Sequence, residues 1–328
     1  MTVYRPIIKK AWEITRKYKF LWFFGLFAAL LGNGGEIEII YENFQRLSNQ
    51  PETMSALKDL YVAGRFEEII SQATQYFSTN TPVAIAYAIL VVLLFILILW
   101  LIVISQSALI NKVYKINKGQ ESKFDDGMRV GKKFFWPVLS VNIISRAVIY
   151  GLFLAICGPL LYLYFQNAET GYVIAYMLIS FIIFVPLGII IAFITKYATA
   201  YVVIKEMSVW SSIKKGWVLF VRNWLISIEM AIILLAINVI VGLGFLVLVS
   251  LLALPFLLLS FIFGAAAGTI GSYLIIVPAA ILFFAVLFIV GAAFSTFQFS
   301  SWTQLFLRLN EGKVISKIAR LFSSSGGK

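Results

Sequence analysis

The sequence contains no histidine and a single cysteine, Cys157, among its 328 residues. Histidine is the commonest general base and metal ligand, so its absence excludes Ser-His-Asp and Cys-His nucleophile chemistry. One cysteine cannot form an intrachain disulfide and does not indicate a redox compartment. No Walker loop, dinucleotide-binding glycine fingerprint or cluster of zinc ligands is present. We therefore expect no cofactor, no metal and no enzymatic activity.

Charged residues are also scarce, at 13% of the chain, whereas hydrophobic residues make up 61%. Soluble domains are typically about a quarter charged and about half apolar. Between Met230 and Leu307 there is no Asp, Glu, Lys or Arg at all. A spanning helix needs roughly 20 predominantly apolar residues, so this run alone is long enough for two. The composition predicts an all-α membrane protein with several spans.

Six segments have the apolar length of a spanning helix, or come close to it. They are Tyr18–Leu31, Pro82–Ser105, Trp136–Cys157, Gly171–Thr195, Trp224–Ser250 and Ser272–Phe299. The first is short, since its strictly apolar part begins only at Phe20. A signal peptide is the alternative there, but no A-x-A-like cleavage site follows. We predict a six-span helical bundle.

The stretch Leu251–Gly271 allows two interpretations. Pro255 and the small-residue run Gly264–Gly271 interrupt an otherwise apolar sequence. One interpretation is a re-entrant segment, which protein or a wet cavity must shield at membrane depth. The other is a long kinked helix with a glycine-rich turn.

The net charge of +12 is distributed unevenly along the chain. Basic residues cluster before Phe20, at 111–133, at 196–222 and at 308–328, all on one side of a six-span arrangement. The loop Gly32–Thr81, on the other side, is mainly acidic. The positive-inside rule therefore predicts that both termini are cytoplasmic. Within that loop, apolar residues at helical spacing predict two short amphipathic helices, packed on the bundle or forming a partner-binding cap.

A threefold internal repeat is the most informative pattern in the chain. Residues 8–12, Ile-Lys-Lys-Ala-Trp, match residues 213–217, Ile-Lys-Lys-Gly-Trp, and residues 126–131 align with 211–216 more weakly. We predict an amphipathic elbow helix followed by two transmembrane helices in each unit. The predicted units are residues 1–120, containing the loop 32–81, then 121–207 and 208–312, before a cytoplasmic tail at 313–328.

The elbows predict contact with membrane lipids. An amphipathic helix of this kind lies in the interface with its aromatics toward acyl chains and its lysines toward headgroups. The predicted interfacial residues are Lys9, Lys10, Trp12, Lys132, Lys133, Trp136, Lys214, Lys215 and Trp217. We expect anionic headgroups at the cytoplasmic face as partners, and no nucleic acid, because the basic residues flank apolar spans.

Polar residues inside the predicted spans are candidate functional groups. Arg146 and Glu229 lie at comparable positions in the second and third units, and we expect them to interact directly or through water. A structural ion pair is the alternative to a functional one. Asn142 is expected to link helices. The acidic pair Asp125 and Asp126 is interpreted as a helix N-cap, in preference to a metal site.

The stretches Ser208–Trp217 and Phe124–Trp136 carry a resemblance to a known family. The chain resembles the membrane domain of prokaryotic glycerophosphoryl diester phosphodiesterases and related six-span families. In those enzymes a separate soluble barrel performs hydrolysis, and no such domain occurs here, so the resemblance implies no phosphodiesterase activity. It implies a multi-pass protein of the prokaryotic cytoplasmic (inner) membrane. Mitochondrial carriers also have three two-span repeats, but their signature motif is missing.

Three functional hypotheses follow. The first is a non-enzymatic protein, either a transporter-like subunit or a partner-binding membrane component. The second is a lipid-binding or lipid-handling protein that works through its basic elbows. The third is an intramembrane enzyme that uses carboxylate or lysine chemistry. A polar cavity reaching Arg146 favours the first hypothesis, and a lateral surface open to lipid favours the second.

Overall fold

The computed structural model describes residues 4–30, 81–120, 124–165 and 170–312, with the side chains at 81, 161–165, 170 and 264–273 excepted. Every regular element in these ranges is an α-helix. They are α1 (Tyr4–Lys17), α2 (Leu21–Ala29), α3 (Thr81–Asn117), α4 (Phe124–Lys133), α5 (Phe135–Phe165), α6 (Thr170–Lys205), α7 (Val209–Arg222) and α8 (Trp224–Asn310). The predicted all-helical class is confirmed for this part of the chain.

Five stretches of these helices are long and apolar enough to cross a membrane. They are Pro82–Asn117, Phe135–Leu160, Gly171–Lys205, Trp224–Phe263 and Leu274–Asn310. Each overlaps one predicted span, but the helices run beyond the predicted ends. The first stretch has 36 residues and the fourth has 40, against roughly 20 needed to span. The apolar runs predict where these helices lie. The helices then continue past the apolar runs into stretches whose polar side chains are buried by other helices, such as residues 300–306.

The first predicted span differs from the other five. Within Tyr18–Leu31 the structure has α2, a helix of nine residues, which extends only about 13.5 Å at 1.5 Å per residue. Leu21, Phe24 and Ala28 on α2 are buried within the protein. The span predicted at Tyr18–Leu31 is not among the five stretches, so a sixth span stays a prediction. The predicted loop helices in Gly32–Thr81 lie, apart from Thr81, outside the described residues.

Helix α8 is not one straight rod. The rings of Phe245 and Phe283 lie 6.4 Å apart, although 38 residues of straight helix would separate them by about 57 Å. The chain therefore reverses between them, and α8 has a first arm (Trp224–Phe263) and a second arm (Leu274–Asn310). The backbone is helical throughout Leu251–Phe263. This continuity corresponds to the kinked helix, the second of the two interpretations of Leu251–Gly271, and not to a non-helical re-entrant segment.

Contacts divide the chain into two groups. Group one comprises Met1–Asn33, Ile102–Tyr150 and Ile190–Lys328. Its core contains side chains of α1, α2 and α3 that are almost completely buried: Ile14, Leu21, Phe24, Ala28, Ala108, Leu109 and Val113. Residues 102–110 of α3 are all buried, and so are residues 300–306 of α8. These stretches are enclosed on all sides by other helices of the group.

Group two comprises Gly34–Leu101 and Gly151–Ile189. Here α5 and α6 are antiparallel neighbours, since Phe153 packs on Phe184 at 6.3 Å and the Tyr176 hydroxyl donates to the Ile156 carbonyl at 3.1 Å. Residues 85–99 of α3 are apolar and exposed around the whole helix. A helix that is hydrophobic on every side suits either a deep core or a lipid bilayer.

Candidate functional site

The three short amphipathic helices bury the same positions. In each helix a small or apolar residue faces inward at positions spaced by four and then three residues. The buried sets are Ile7, Ala11 and Ile14 around α1, Gly127, Gly131 and Phe134 around α4, and Ser212, Gly216 and Leu219 on α7. This spacing is one face of an α-helix, so each elbow presents a single inward face.

The opposite faces are basic and aromatic. All nine predicted interfacial residues are exposed: Lys9, Lys10, Trp12, Lys132, Lys133, Trp136, Lys214, Lys215 and Trp217. Trp136 lies in the first turn of α5 and not on α4 itself. Lys133 donates to the carboxylate of Glu206 at 2.8 Å, and Lys9 lies 4.0 Å from Glu13.

Glycine allows two of these helices to approach a neighbour closely. A Cβ atom at Gly131 would lie 2.7 Å from the Ile104 carbonyl oxygen of α3, and one at Gly216 would lie 3.0 Å from the Ile194 carbonyl of α6. At Gly131 the Ile104 side chain would be closer still, at 2.4 Å. In both cases rigid backbone lies within about 3 Å of the added Cβ, so the missing side chain permits the contact. Helix α4 therefore packs on α3, and α7 packs on α6.

Helix α1 packs on the last helix of the chain. The Trp12 ring lies 6.2 Å from Phe297 on the second arm of α8, in an edge-to-face arrangement. The Tyr4 hydroxyl donates to the carboxylate of Glu229 on the first arm. Each amphipathic helix thus contacts a long helix other than the one that directly follows it.

Helices α3, α6 and α8 also end alike. The chain takes a left-handed conformation at Gly119 (φ 74°), Glu206 (φ 53°) and Gly312 (φ 70°), and these are the positive φ values within the described ranges. A left-handed residue after the last turn is a common helix C-cap, and glycine adopts it without steric cost. Glu206, the non-glycine residue of the three, forms an exposed ion pair with Lys133.

One buried ion pair was not predicted from the sequence. Lys112 on α3 has a completely buried side chain, and its Nζ lies 3.6 Å from Asp126 Oδ2 on α4, whose side chain is 45% exposed. The Lys112 Nζ has no hydrogen-bond partner among the described residues. In the sequence this lysine is indistinguishable from the other basic residues at 111–133. Only the packing of α4 on α3 reveals its partner.

The predicted N-cap is displaced slightly. Helix α4 begins at Phe124, so Asp125 and Asp126 lie within its first turn, where negative charge favours the helix dipole. No group of three metal-ligating residues occurs in the part of the chain that the structure describes.

The structure places Arg146 and Glu229 in different surroundings. Glu229 is 8% exposed and accepts a hydrogen bond from Tyr4. Arg146 is exposed on α5. Their predicted interaction stays a prediction.

Hydrogen bonds between polar side chains link the long helices of group one. Asn142 donates to Gln106 at 2.8 Å, which confirms the predicted role of Asn142 as a link between helices. Three further links join α6 to its neighbours: Thr195 to Ser145 at 2.7 Å, Tyr197 to Ser227 at 2.7 Å and Tyr201 to Asn310 at 2.9 Å. Pairing of this kind lets polar groups be buried without a large cost in free energy.

Comparison of the chain with protein-family models, curated proteins and solved structures gave no match in any of the three. The resemblance to the phosphodiesterase membrane domain therefore stays a prediction.

Proposed function

We propose that the chain is a non-enzymatic, multi-pass protein of a prokaryotic cytoplasmic membrane that binds anionic lipids along its cytoplasmic face. The observation that carries this proposal is the burial pattern that α1, α4 and α7 share. Each turns its small or apolar residues inward and exposes a pair of lysines. Three helices presenting the same basic face form a surface suited to negatively charged headgroups.

The proposal includes a threefold repeat, in which each unit has one elbow helix and two spans. The inward positions of the three elbows coincide in register, and α3, α6 and α8 share left-handed ends. Each elbow packs on the last helix of the preceding unit: α4 on α3, α7 on α6 and, closing the ring, α1 on α8. Such a closed order supports six spans around a pseudo-threefold axis, with all elbows on one side.

The strength of the lipid contact can be tested on α7. A lysine near an anionic membrane surface contributes about 1 kcal/mol, so neutralising Lys214 and Lys215 should lower local lipid enrichment by roughly tenfold or more. We expect quenching of Trp217 fluorescence by brominated phosphatidylglycerol to fall toward the level seen with brominated phosphatidylcholine in K214Q/K215Q. The measurement uses a variant in which Trp217 is the remaining tryptophan.

The matched control is K214R/K215R, which keeps both charges and should retain the preference for phosphatidylglycerol. High salt should weaken the preference in the control, because exposed charges are screened. Equal quenching by the two lipids before any lysine is replaced would reject the proposed lipid-binding role.

Topology is tested separately. In a Cys157→Ala background, a cysteine replacing Leu60 should react with a membrane-impermeant maleimide in intact cells. A cysteine replacing Ser324, in the predicted cytoplasmic tail, should react only after permeabilisation. The expected pattern follows from the excess of Lys and Arg on one side of the spans. Labelling of position 60 from the cytoplasmic side alone would contradict the arrangement.

A transporter-like subunit is the second candidate. Seven side chains of group one have a buried polar atom with no hydrogen-bond partner among the described residues. Four of them lie in the fully buried stretches 102–110 and 300–306: Ser105, Ser300, Ser301 and Gln304. Buried polar groups without partners are rare in folded proteins and often contact water or a ligand. Reaction of S301C with a small hydrophilic thiol reagent, at a rate near that of an exposed cysteine, would favour this candidate.

A further inference from the structure

Helix α7 differs from the other two elbows in the chemistry of its exposed face. The buried positions place the three helices in one register, in which Ser212 on α7 corresponds to Ile7 on α1 and to Gly127 on α4. In this register four exposed positions can be compared. On α7 all four side chains are apolar and between 50% and 67% exposed: Trp210, Trp217, Val218 and Val221.

The same four positions are mainly charged on the other elbows. On α1 they are occupied by Arg5, Trp12, Glu13 and Arg16. On α4 and the first turn of α5 they are occupied by Asp125, Lys132, Lys133 and Trp136. All eight of these side chains are exposed, so the elbows differ in the chemistry of this face and not in its burial. Of the three elbows, α7 alone is apolar at all four positions.

The four apolar side chains form a stripe along one side of α7. At 100° per residue, Trp217 and Val221 lie within about 20° of Trp210 around the helix axis, and Val218 lies about 80° away. The buried Leu219 lies about 180° from Trp210, on the side that packs against the protein. The apolar stripe therefore faces away from the protein core.

A basic edge lies between the stripe and the buried face. Lys215 and Arg222 are exposed and lie about 120–140° from Trp210 around the helix axis. Lys214 falls within the stripe, where its long side chain can run along the apolar surface and extend the ammonium group to the headgroups. An apolar stripe bordered by basic residues is typical of a helix that lies in the membrane interface with its apolar side among the acyl chains.

The stripe is continuous with a helix that is able to cross the membrane. Trp224 is 53% exposed and begins the first arm of α8 directly after α7. This arm, Trp224–Phe263, is long and apolar enough to span, and Ile232 on it is 58% exposed. In a bilayer, the lipid that covers the arm also meets the end of α7. Acyl chains are therefore the partner that fits the stripe.

We propose that α7 inserts its apolar stripe among the upper acyl segments of the cytoplasmic leaflet, whereas α1 and α4 stay at the level of the headgroups. The lysines of all three elbows attract anionic headgroups, and α7 adds an apolar contact that needs no charge on the lipid. This inference rests on the location of the elbows at the membrane surface proposed above, but not on their preference for anionic lipid.

Spin labels at equivalent positions of α7 and α1 test the insertion. In a Cys157→Ala background, the full chain carries a nitroxide at W210C or V221C, and the matched controls carry it at R5C or R16C. In vesicles of pure phosphatidylcholine, collision rates with oxygen and with a water-soluble nickel chelate give the depth of each label. Labels on α7 should lie about 5–10 Å below the headgroups, and labels on α1 should lie at or above them.

Exchanging residues between the elbows tests which side chains cause the insertion. V218E/V221R gives α7 the residues of α1 at two positions and should move a label at W210C up to the headgroup level, because charged side chains resist transfer to the acyl region. V218I/V221I keeps both positions apolar and should leave the depth unchanged. An unchanged depth in V218E/V221R would show that the stripe does not hold α7 in the membrane.

Equal depths for labels on α7 and α1 would overturn the inference. Labels on α7 that neither reagent reaches would also overturn it, because a protein surface, such as a second copy of the chain, would then cover the stripe. The same holds if the labels on α7 reach this depth only in vesicles that contain phosphatidylglycerol. The lipid preference of the elbows has its own readout, the quenching of Trp217, so either proposal can fail without the other.

Discussion

Replacing Asp126 with asparagine is expected to lower the free energy of unfolding by about 2–4 kcal/mol. Breaking a buried pair by removing one partner typically costs about 3–5 kcal/mol, because the remaining charge is left without compensation. Lys112 is completely buried, whereas the Asp126 side chain is 45% exposed, so water offsets part of the loss. The measurement is reversible unfolding of the detergent-solubilised chain, followed by near-ultraviolet circular dichroism.

The adjacent Asp125 provides the matched control. D125N removes the same charge one residue away, on the exposed side of α4, and should change stability by less than about 0.5 kcal/mol. The double variant K112M/D126N should recover much of the loss, because an apolar side chain in place of Lys112 needs no partner. Equal effects of D126N and D125N would show that the pair does not anchor α4 on α3.

Replacing Gly25 with alanine is expected to have the other large effect. A Cβ atom there would overlap the Ala292 carbonyl and the Thr296 hydroxyl on the second arm of α8. The Thr296 hydroxyl approaches the Ala292 carbonyl at 2.8 Å and the Leu21 carbonyl at 3.2 Å. Since the obstructing atoms include backbone, α2 must move away, and overpacking of this kind costs about 1–3 kcal/mol or more.

The same glycine-to-alanine substitution at Gly151 on α5 provides the matched control. No atom lies within 4 Å of a Cβ built at that position. Replacing glycine by alanine in an open helical position favours the helix by up to about 1 kcal/mol, so G151A should be neutral or stabilising. G25A should therefore lower the unfolding temperature, whereas G151A should leave it unchanged or raise it. A similar shift in both would contradict the close packing of α2 on α8.

Local sequence patterns determined the class of this protein and the surface character of its elbows. Five apolar runs predicted helices that the structure contains. About twenty apolar residues in a row favour a helix, because a helix satisfies all backbone hydrogen bonds within the segment. The motif around Lys214 and Lys215, and its counterpart around Lys9 and Lys10, predicted exposed lysine pairs. The spacing of apolar residues and the position of charged residues within one helix determine which side chains are exposed. Both are visible in the sequence without knowledge of the helices that pack against it.

The tertiary structure alone decided which helices meet and what each contact requires. The partner of Lys112, the reversal of α8 and the need for glycine at Gly25 all depend on residues far apart in the chain. A helix presents its side chains in the same order whatever it packs against. The free energy of a buried charge or a close backbone approach is set by the opposing surface, and only the folded chain specifies that surface.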